Sequence, residues 1–338
     1  MNSRERINSI ISLQGADRCG YWTGNPHQDT MPTYLERVGG RVPEDLFSYL
    51  KDDCRWVPGG RECYKHPEGR ILWDAGTRGG KSIPLPPDLF ANCDNTAEVD
   101  AFDWPNPDYL DFSAVVEKAK KYSDKAVFTG MWTDFFHIAA AFFGMENYFM
   151  KMYTEPEIVD AVTEHLVEFF AIGNEKLLSE MGDSADIFFM GNDFGTQLSL
   201  LISPELFKRF VLPGMKRNID IAKKHGKKVM LHSCGAIKEV MPILIGAGVQ
   251  AFHPLQAKAL GMDAETLARE FKGKVAFMGG IDTQQLLVHG TPQDIRDDVR
   301  RVKDLLGPNL IVSPSHETLL PNVPFENVIA MSEAAMEA

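Results

Sequence analysis

The sequence predicts an α/β fold, a single (β/α)8 TIM barrel with a β-hairpin excursion near its N-terminus. Three observations predict it. From Asp108 onward, short apolar runs alternate with helical stretches in a steady rhythm. The runs are continuously apolar, as expected for strands buried on both faces of a parallel sheet. A chain of 338 residues has room for about eight such βα units. With no internal repeat or low-complexity linker, residues 1–338 read as one barrel domain.

Taken in order, Ser3 to Leu13 has the spacing of an amphipathic helix, and Cys19 to Trp22 forms a first strand that ends at Gly24-Asn25-Pro26-His27. Thr33–Val38 and Pro43–Leu50 are expected to be helical. About 55–95 is an inserted hairpin region too short for its own core, with turn signals at Pro58-Gly59-Gly60, Pro67-Glu68-Gly69 and Gly79-Gly80. Alternation places the hairpin at Glu62–Lys65 and Arg70–Trp73. Helix 112–122 then precedes strand 126–130, and helix 158–181 precedes strand 186–190. Pro204 behind Ser203 opens helix 205–225. Strand 228–231, helix 237–246, strand 250–252, helix 263–271, strand 275–278, helix 292–306, strand 310–312 and helix 324–336 complete the series.

The net charge is -12, without a basic run, which argues against nucleic acid or an anionic membrane as partner. The five cysteines are scattered without a CxxC pair, a usage that fits a reducing cytosol. No run approaches membrane-spanning length and the first residues lack a signal core, so a soluble, cytoplasmic protein is expected.

Barrel chemistry gathers where strands run out into βα loops. Those positions hold Asn25, His27 and Asp29; Trp132, Asp134 and His137; Asn192, Asp193 and Gln197; His232 and Cys234; His253 and Gln256; Asp282; and His316 with Glu317. Five of the nine histidines fall there. In Val229-Met230-Leu231-His232-Ser233-Cys234-Gly235 a strand breaks on an imidazole and a thiol two residues apart, which share a face. The pair fits two zinc ligands; it equally fits a small buried cysteine beside a hydrogen-bonded histidine. His316 or Glu317 is best placed as a third ligand, and an open fourth position would make the site catalytic. Asp193 and Asp282 also suit helix capping.

The C-terminal half carries His232-Ser233-Cys234-Gly235, Gly279-Gly280-Ile281-Asp282-Thr283-Gln284 and Pro321-Asn322-Val323-Pro324-Phe325-Glu326-Asn327. In these the chain resembles the uroporphyrinogen decarboxylase superfamily, whose fold is the (β/α)8 barrel. Decarboxylases of that group carry Trp-x-x-Arg-Gln-Ala-Gly-Arg-Tyr-x-Pro after the first strand. The stretch from Trp22 to Pro32 lines up without gaps, but Asn25 and Asp29 replace both arginines. The resemblance also sets His137 against a family tyrosine, Asp53 against an acid after the second strand, and His316 against a C-terminal histidine.

The resemblance is closer to the zinc- and corrinoid-dependent methyltransferase branch, whose ligand pattern is His-x-Cys with a later Cys. It implies zinc on His232, Cys234 and His316, and methyl transfer between a small methylated substrate and a corrinoid protein or thiol. Asp193 joins the catalytic set; Asn25, His27, Trp132, His137, Gln197, Asp282 and Glu317 would contact or orient the substrate. An aromatic rim of Trp22, Trp132, Phe135, Phe136 and Phe194 suits a small organic methyl donor, although such rings also serve as plain core. A homodimer is common in the superfamily. The alternatives are a tetrapyrrole decarboxylase and a non-catalytic corrinoid- or tetrapyrrole-binding protein.

Overall fold

The computed structural model describes residues 1–78, 81–84 and 88–337. Eight parallel strands form the central sheet: β1 (Gly20–Tyr21), β2 (Cys54–Trp56), β3 (Ala126–Trp132), β4 (Ile187–Gly191), β5 (Lys228–His232), β6 (Ala251–Leu255), β7 (Ala276–Ile281) and β8 (Leu310–Pro314). Their order runs β1-β8-β7-β6-β5-β4-β3-β2. The Asp53 amide donates to the Tyr21 carbonyl at 3.0 Å, which joins β1 to β2 and closes the cylinder. The predicted barrel is the fold observed.

Side-chain parity divides the strands between two cores. Phe128, Ile187, Phe189, Met230, Met278 and Ile311 fill the barrel, while Val127, Phe188, Leu231, Phe252 and Val312 pack outward against the helices. The N-terminal helix, Ser3–Ile11, opens on the Asn2–Glu5 capping box. It sends Ile7, Ile10 and Ile11 into the inner core and so plugs the N-terminal mouth. Around that plug Arg4 pairs with Asp186 at 2.7 Å, and Arg6 and Arg18 both reach the buried Asp53 at 2.8 Å. Asp53 therefore sits at the barrel's closed end, away from the loops that carry the chemistry, and does not play the part its alignment implies.

The hairpin, β2 and two helices depart from the sequence reading. The antiparallel hairpin pairs Asp74–Arg78 with Lys81–Pro84, not Glu62–Lys65 with Arg70–Trp73. Arg61–Cys63 is instead a short 3-10 turn, and Tyr64 bridges Leu110. The three-residue β2 is too short and too polar to show a period, because Arg55 turns outward to Glu44. The helices Phe135–Phe143 and Met145–Thr154 were not foreseen. The first is apolar except for His137 and mostly buried, with only Ala141 exposed, so it lacks the amphipathic signal of a surface helix. Among the described residues no helix is long and apolar enough to cross a membrane.

Candidate active site

Met230 points into the barrel, so His232, two residues on, points the same way at the open end of β5. Register pairs it with His253 on β6, and the two Nδ1 atoms lie 3.0 Å apart. At that separation one ring donates and the other accepts. Burial, with His232 and His316 nearby, drives the His253 ring well below the ordinary imidazole range, so it is neutral.

Asp193 follows β4 in the adjoining loop. Its Oδ1 accepts the Cys234 amide at 2.8 Å and lies 3.3 Å from His232 Nε2. Cys234 Sγ is 3.6 Å from the same nitrogen. Burial alone would raise the Asp193 carboxyl, but His232 and the Cys234 amide outweigh it and hold it at about 2. Burial, with Asp193 and Glu317 beside it, pushes the Cys234 thiol well up. A nearby cation would reverse that shift, since a metal-bound thiol is a thiolate.

Glycines let these loops meet. Gly235 has φ +86°, and a Cβ there would stand 2.2 Å from the Gly195 carbonyl oxygen. On the far side of His232, the chain Asn25–Pro26 forms a two-residue parallel ladder with Thr318–Leu319. The Asn25 amide donates to the Glu317 carbonyl at 2.6 Å. This ladder holds Glu317 so that Oε2 lies 3.8 Å from His232 Nδ1. Glu317 Oε2 and His253 Nε2 are both buried without a hydrogen-bond partner among the described residues.

Beneath the donors lies an aromatic bed. The Trp132 ring is 4.8 Å from His232, 5.3 Å from Trp56 and 5.4 Å from Phe189, and Trp22 is 5.2 Å from His253. Trp132 and Thr133 have φ +68° and +63°, left-handed conformations that bulky and β-branched residues adopt only under constraint. The constraint is visible. Asn174 accepts the Met131 amide at 2.9 Å and donates to Thr133 Oγ1 at 3.1 Å, while Asn192 donates to the Thr133 carbonyl at 2.6 Å. Gly191 leaves room for the indole, which a Cβ would meet at 2.3 Å.

Two groups of ligand atoms gather within 4.8 Å of one another: Asp193 with His232 and Cys234, and His232 with His253 and Glu317. The first suits zinc. Ligands at ~2.0–2.3 Å from a tetrahedral ion stand roughly 3.3–3.8 Å apart, and the His232–Asp193 and His232–Cys234 separations are 3.3 and 3.6 Å. A carboxylate, a thiolate and a neutral imidazole also balance a divalent charge. The second group is closed by the short imidazole–imidazole hydrogen bond and reads as support behind His232.

Of the other expected residues, Trp132 reaches the cluster and His137 lies close enough to lower the Asp193 carboxyl. His316 lies in neither ligand group: its Nδ1 accepts the Thr318 amide at 3.1 Å and is 3.9 Å from Glu317 Oε2. His27 faces outward beside Asp29 at 3.4 Å. Gln197 is exposed, and its carbonyl takes the Leu260 amide. Asp282 caps its own loop through the Gln284 and Leu286 amides. Phe135, Phe136 and Phe194 are fully buried in the outer core, so the aromatic surround is Trp22, Trp56, Trp132 and Phe189. The sequence places His253 on the strand-end rim without a role, and does not bring Trp56 forward at all. Parity signals His253, because it shares the inward face of Ala251 as His232 shares that of Met230.

Residues 86–338 match the uroporphyrinogen decarboxylase (URO-D) family. A methylated-thiol–coenzyme M methyltransferase of Methanosarcina mazei is 25% identical over 66% of this chain and 57% of its own length. The methylcobamide:CoM methyltransferases MtbA of Methanosarcina acetivorans and Methanosarcina mazei are 22% and 26% identical, over 58% and 56% of this chain and 55% and 53% of their own. The matched stretch thus spans a little over half the length of these curated relatives. A solved structure of a methyltransferase from Methanosarcina mazei shares the fold, with a TM-score of 0.71 at 15% identity over 99% of this chain and 98% of that one. With three quarters of its length covered by the family match, the chain belongs to the uroporphyrinogen decarboxylase family.

Proposed function

We propose that the chain is a methyltransferase that moves a methyl group between a small methylated substrate and a corrinoid protein or thiol, with zinc held by Asp193, His232 and Cys234. The observation that carries the reading is the convergence of carboxylate, imidazole and sulfur at tetrahedral spacing, open to the barrel mouth. The methyltransferase names of the relatives support the reaction class. Zinc in this position supplies a Lewis acid that lowers the pKa of a bound thiol or heteroatom.

The chain's own residues have distinct tasks. His253, neutral and buried, fixes which nitrogen of His232 faces Asp193 and Cys234. Glu317 stands behind the same ring, with Oε2 3.8 Å from Nδ1. Trp132 lies against His232 and, with Trp56 and Phe189, keeps water from the floor of the site. Where the thiol is the acceptor, its sulfur takes the methyl carbon, the bond from carbon to its donor atom breaks with the electron pair left on that atom, and the thiol proton goes to solvent. Asn25 and Asp29 offer no cation for a polycarboxylate at the two positions where the decarboxylases carry arginine.

Zinc analysis of the purified protein beside Cys234→Ala, with methyl transfer from methylcobalamin to a thiol followed by absorbance, tests this. One zinc per chain and transfer, both lost in Cys234→Ala, are expected. A metal-free wild type, or a variant that retains both, overturns the reading.

A further inference from the structure

A cleft of about 480 Å³ opens between the loops that follow β6, β7 and β8. Its hydrogen-bonding walls are Gln256, Thr283, Gln284, Ser315, Thr318 and Asn322, and its apolar side is Val288, Leu320 and Val323. His316 completes the lining. Among the described residues no acid, lysine or arginine borders it. Two ties connect the cleft to the donor cluster. Gln256 Oε1 accepts the Gly235 amide at 2.6 Å, next to Cys234. His316 Nδ1 lies 3.9 Å from Glu317 Oε2, which in turn lies 3.8 Å from His232.

Both tied side chains present donors. The Gln256 oxygen is taken by Gly235, which leaves its NH2 group for a ligand. The Thr318 amide donates to His316 Nδ1 at 3.1 Å, so a neutral His316 ring carries its proton on Nε2. Two N–H donors at one end, with an apolar wall beside them and no lysine or arginine in the described lining, suit an uncharged molecule with an oxygen acceptor. A sulfonate or carboxylate placed there would leave water without a lysine or arginine in the described lining to pair with.

We propose that this cleft holds the non-reacting end of a small uncharged, oxygen-bearing substrate, and that His316 binds that substrate instead of ligating metal. The proposal rests on the methyltransferase reading for its reacting end. The zinc-loaded protein is titrated calorimetrically with two thiols that differ only in end group, 2-mercaptoethanol and 2-mercaptoethanesulfonate, and both are then offered methylcobalamin. In transfer, sulfur gains the methyl group, the carbon–cobalt bond breaks with its electron pair left on cobalt, and the thiol proton goes to solvent.

The neutral thiol is expected to bind about tenfold more tightly than the sulfonate. His316→Ala should lose about tenfold in affinity for the neutral thiol while it retains its zinc. Equal or tighter binding of the sulfonate, no binding of either thiol, or loss of zinc from His316→Ala overturns the inference. Preferential binding of the neutral thiol without methyl transfer sustains this inference and sinks the reaction proposed above, so the two failures are distinguishable.

Discussion

Gly235→Ala and Gly246→Ala make the same chemical change and should move stability in opposite directions. Gly235 has φ +86°, and the new methyl would stand 2.2 Å from the Gly195 carbonyl oxygen. Both obstacles are backbone, so no rotamer relieves them. The left-handed conformation costs about 1–2 kcal/mol for a residue with a Cβ. Separating the loops also stretches the Gly235–Gln256 and Cys234–Asp193 hydrogen bonds of 2.6 and 2.8 Å, each worth about 1 kcal/mol. The sum is about 3–4 kcal/mol. For 338 residues the unfolding entropy is about 0.7 kcal/mol/K, so Tm should fall by about 4–6 °C. Zinc affinity should fall ~10–100-fold, because Asp193 loses the amide that orients it. Gly246 lies in the helix Met241–Ala247 with open space around it, and alanine there should add about 0.8 kcal/mol and roughly 1 °C. Differential scanning fluorimetry and zinc titration of the two variants read these values. A Gly235→Ala protein with wild-type Tm and zinc affinity would refute the close-approach argument.

Arg6→Ala strips one cation from the buried Asp53, leaving Arg18 and the Tyr21 amide. Denaturant unfolding should show a loss of about 2–3 kcal/mol with zinc stoichiometry unchanged, because the plug lies at the opposite end of the barrel. Gly191→Ala drives a methyl into the Trp132 indole; methyl transfer should fall at least ~10-fold and tryptophan emission should shift, while zinc still binds. Asp52 is fully buried, and burial outweighs its bonds from Thr23 to raise its carboxyl to about 8. Folding therefore takes up a proton between the unfolded value of about 4 and 8, and stability falls as pH rises through that window. Asp52→Asn should flatten the Tm–pH curve between pH 5 and about 9; an unchanged slope would remove Asp52 as its cause.

The barrel was legible because its strands are continuous apolar runs, and runs such as Ile187–Gly191 admit no other place in a parallel sheet. β2 escaped because three residues with Arg55 in the middle carry no period. The helix Phe135–Phe143 escaped because apolar residues run round most of it and little of it is exposed, which blurs amphipathicity. Strand-end position brought forward His232, Cys234, Asp193 and Glu317, all of which gather at the mouth. What sequence could not order is which neighbour completes a ligand set, since that depends on loop closure at Gly195 and Gly235. The sequence reading sets His316 in the ligand set; its ring is turned to the Thr318 amide, and the set proposed above takes Asp193 instead. The aromatic rim was half legible: Trp22 and Trp132 face the site, whereas Phe135, Phe136 and Phe194 belong to the core behind it.

X-ray absorption at the zinc edge of the loaded, substrate-free protein tests the ligand set most directly. A set of Asp193, His232 and Cys234 predicts one sulfur at ~2.3 Å with nitrogen and oxygen neighbours at ~2.0–2.2 Å. The sulfur shell should vanish in Cys234→Ala, and an unaltered spectrum is expected for His316→Ala. A sulfur-free wild-type spectrum, or one that changes when His316 is removed and not when Asp193 is, would contradict it.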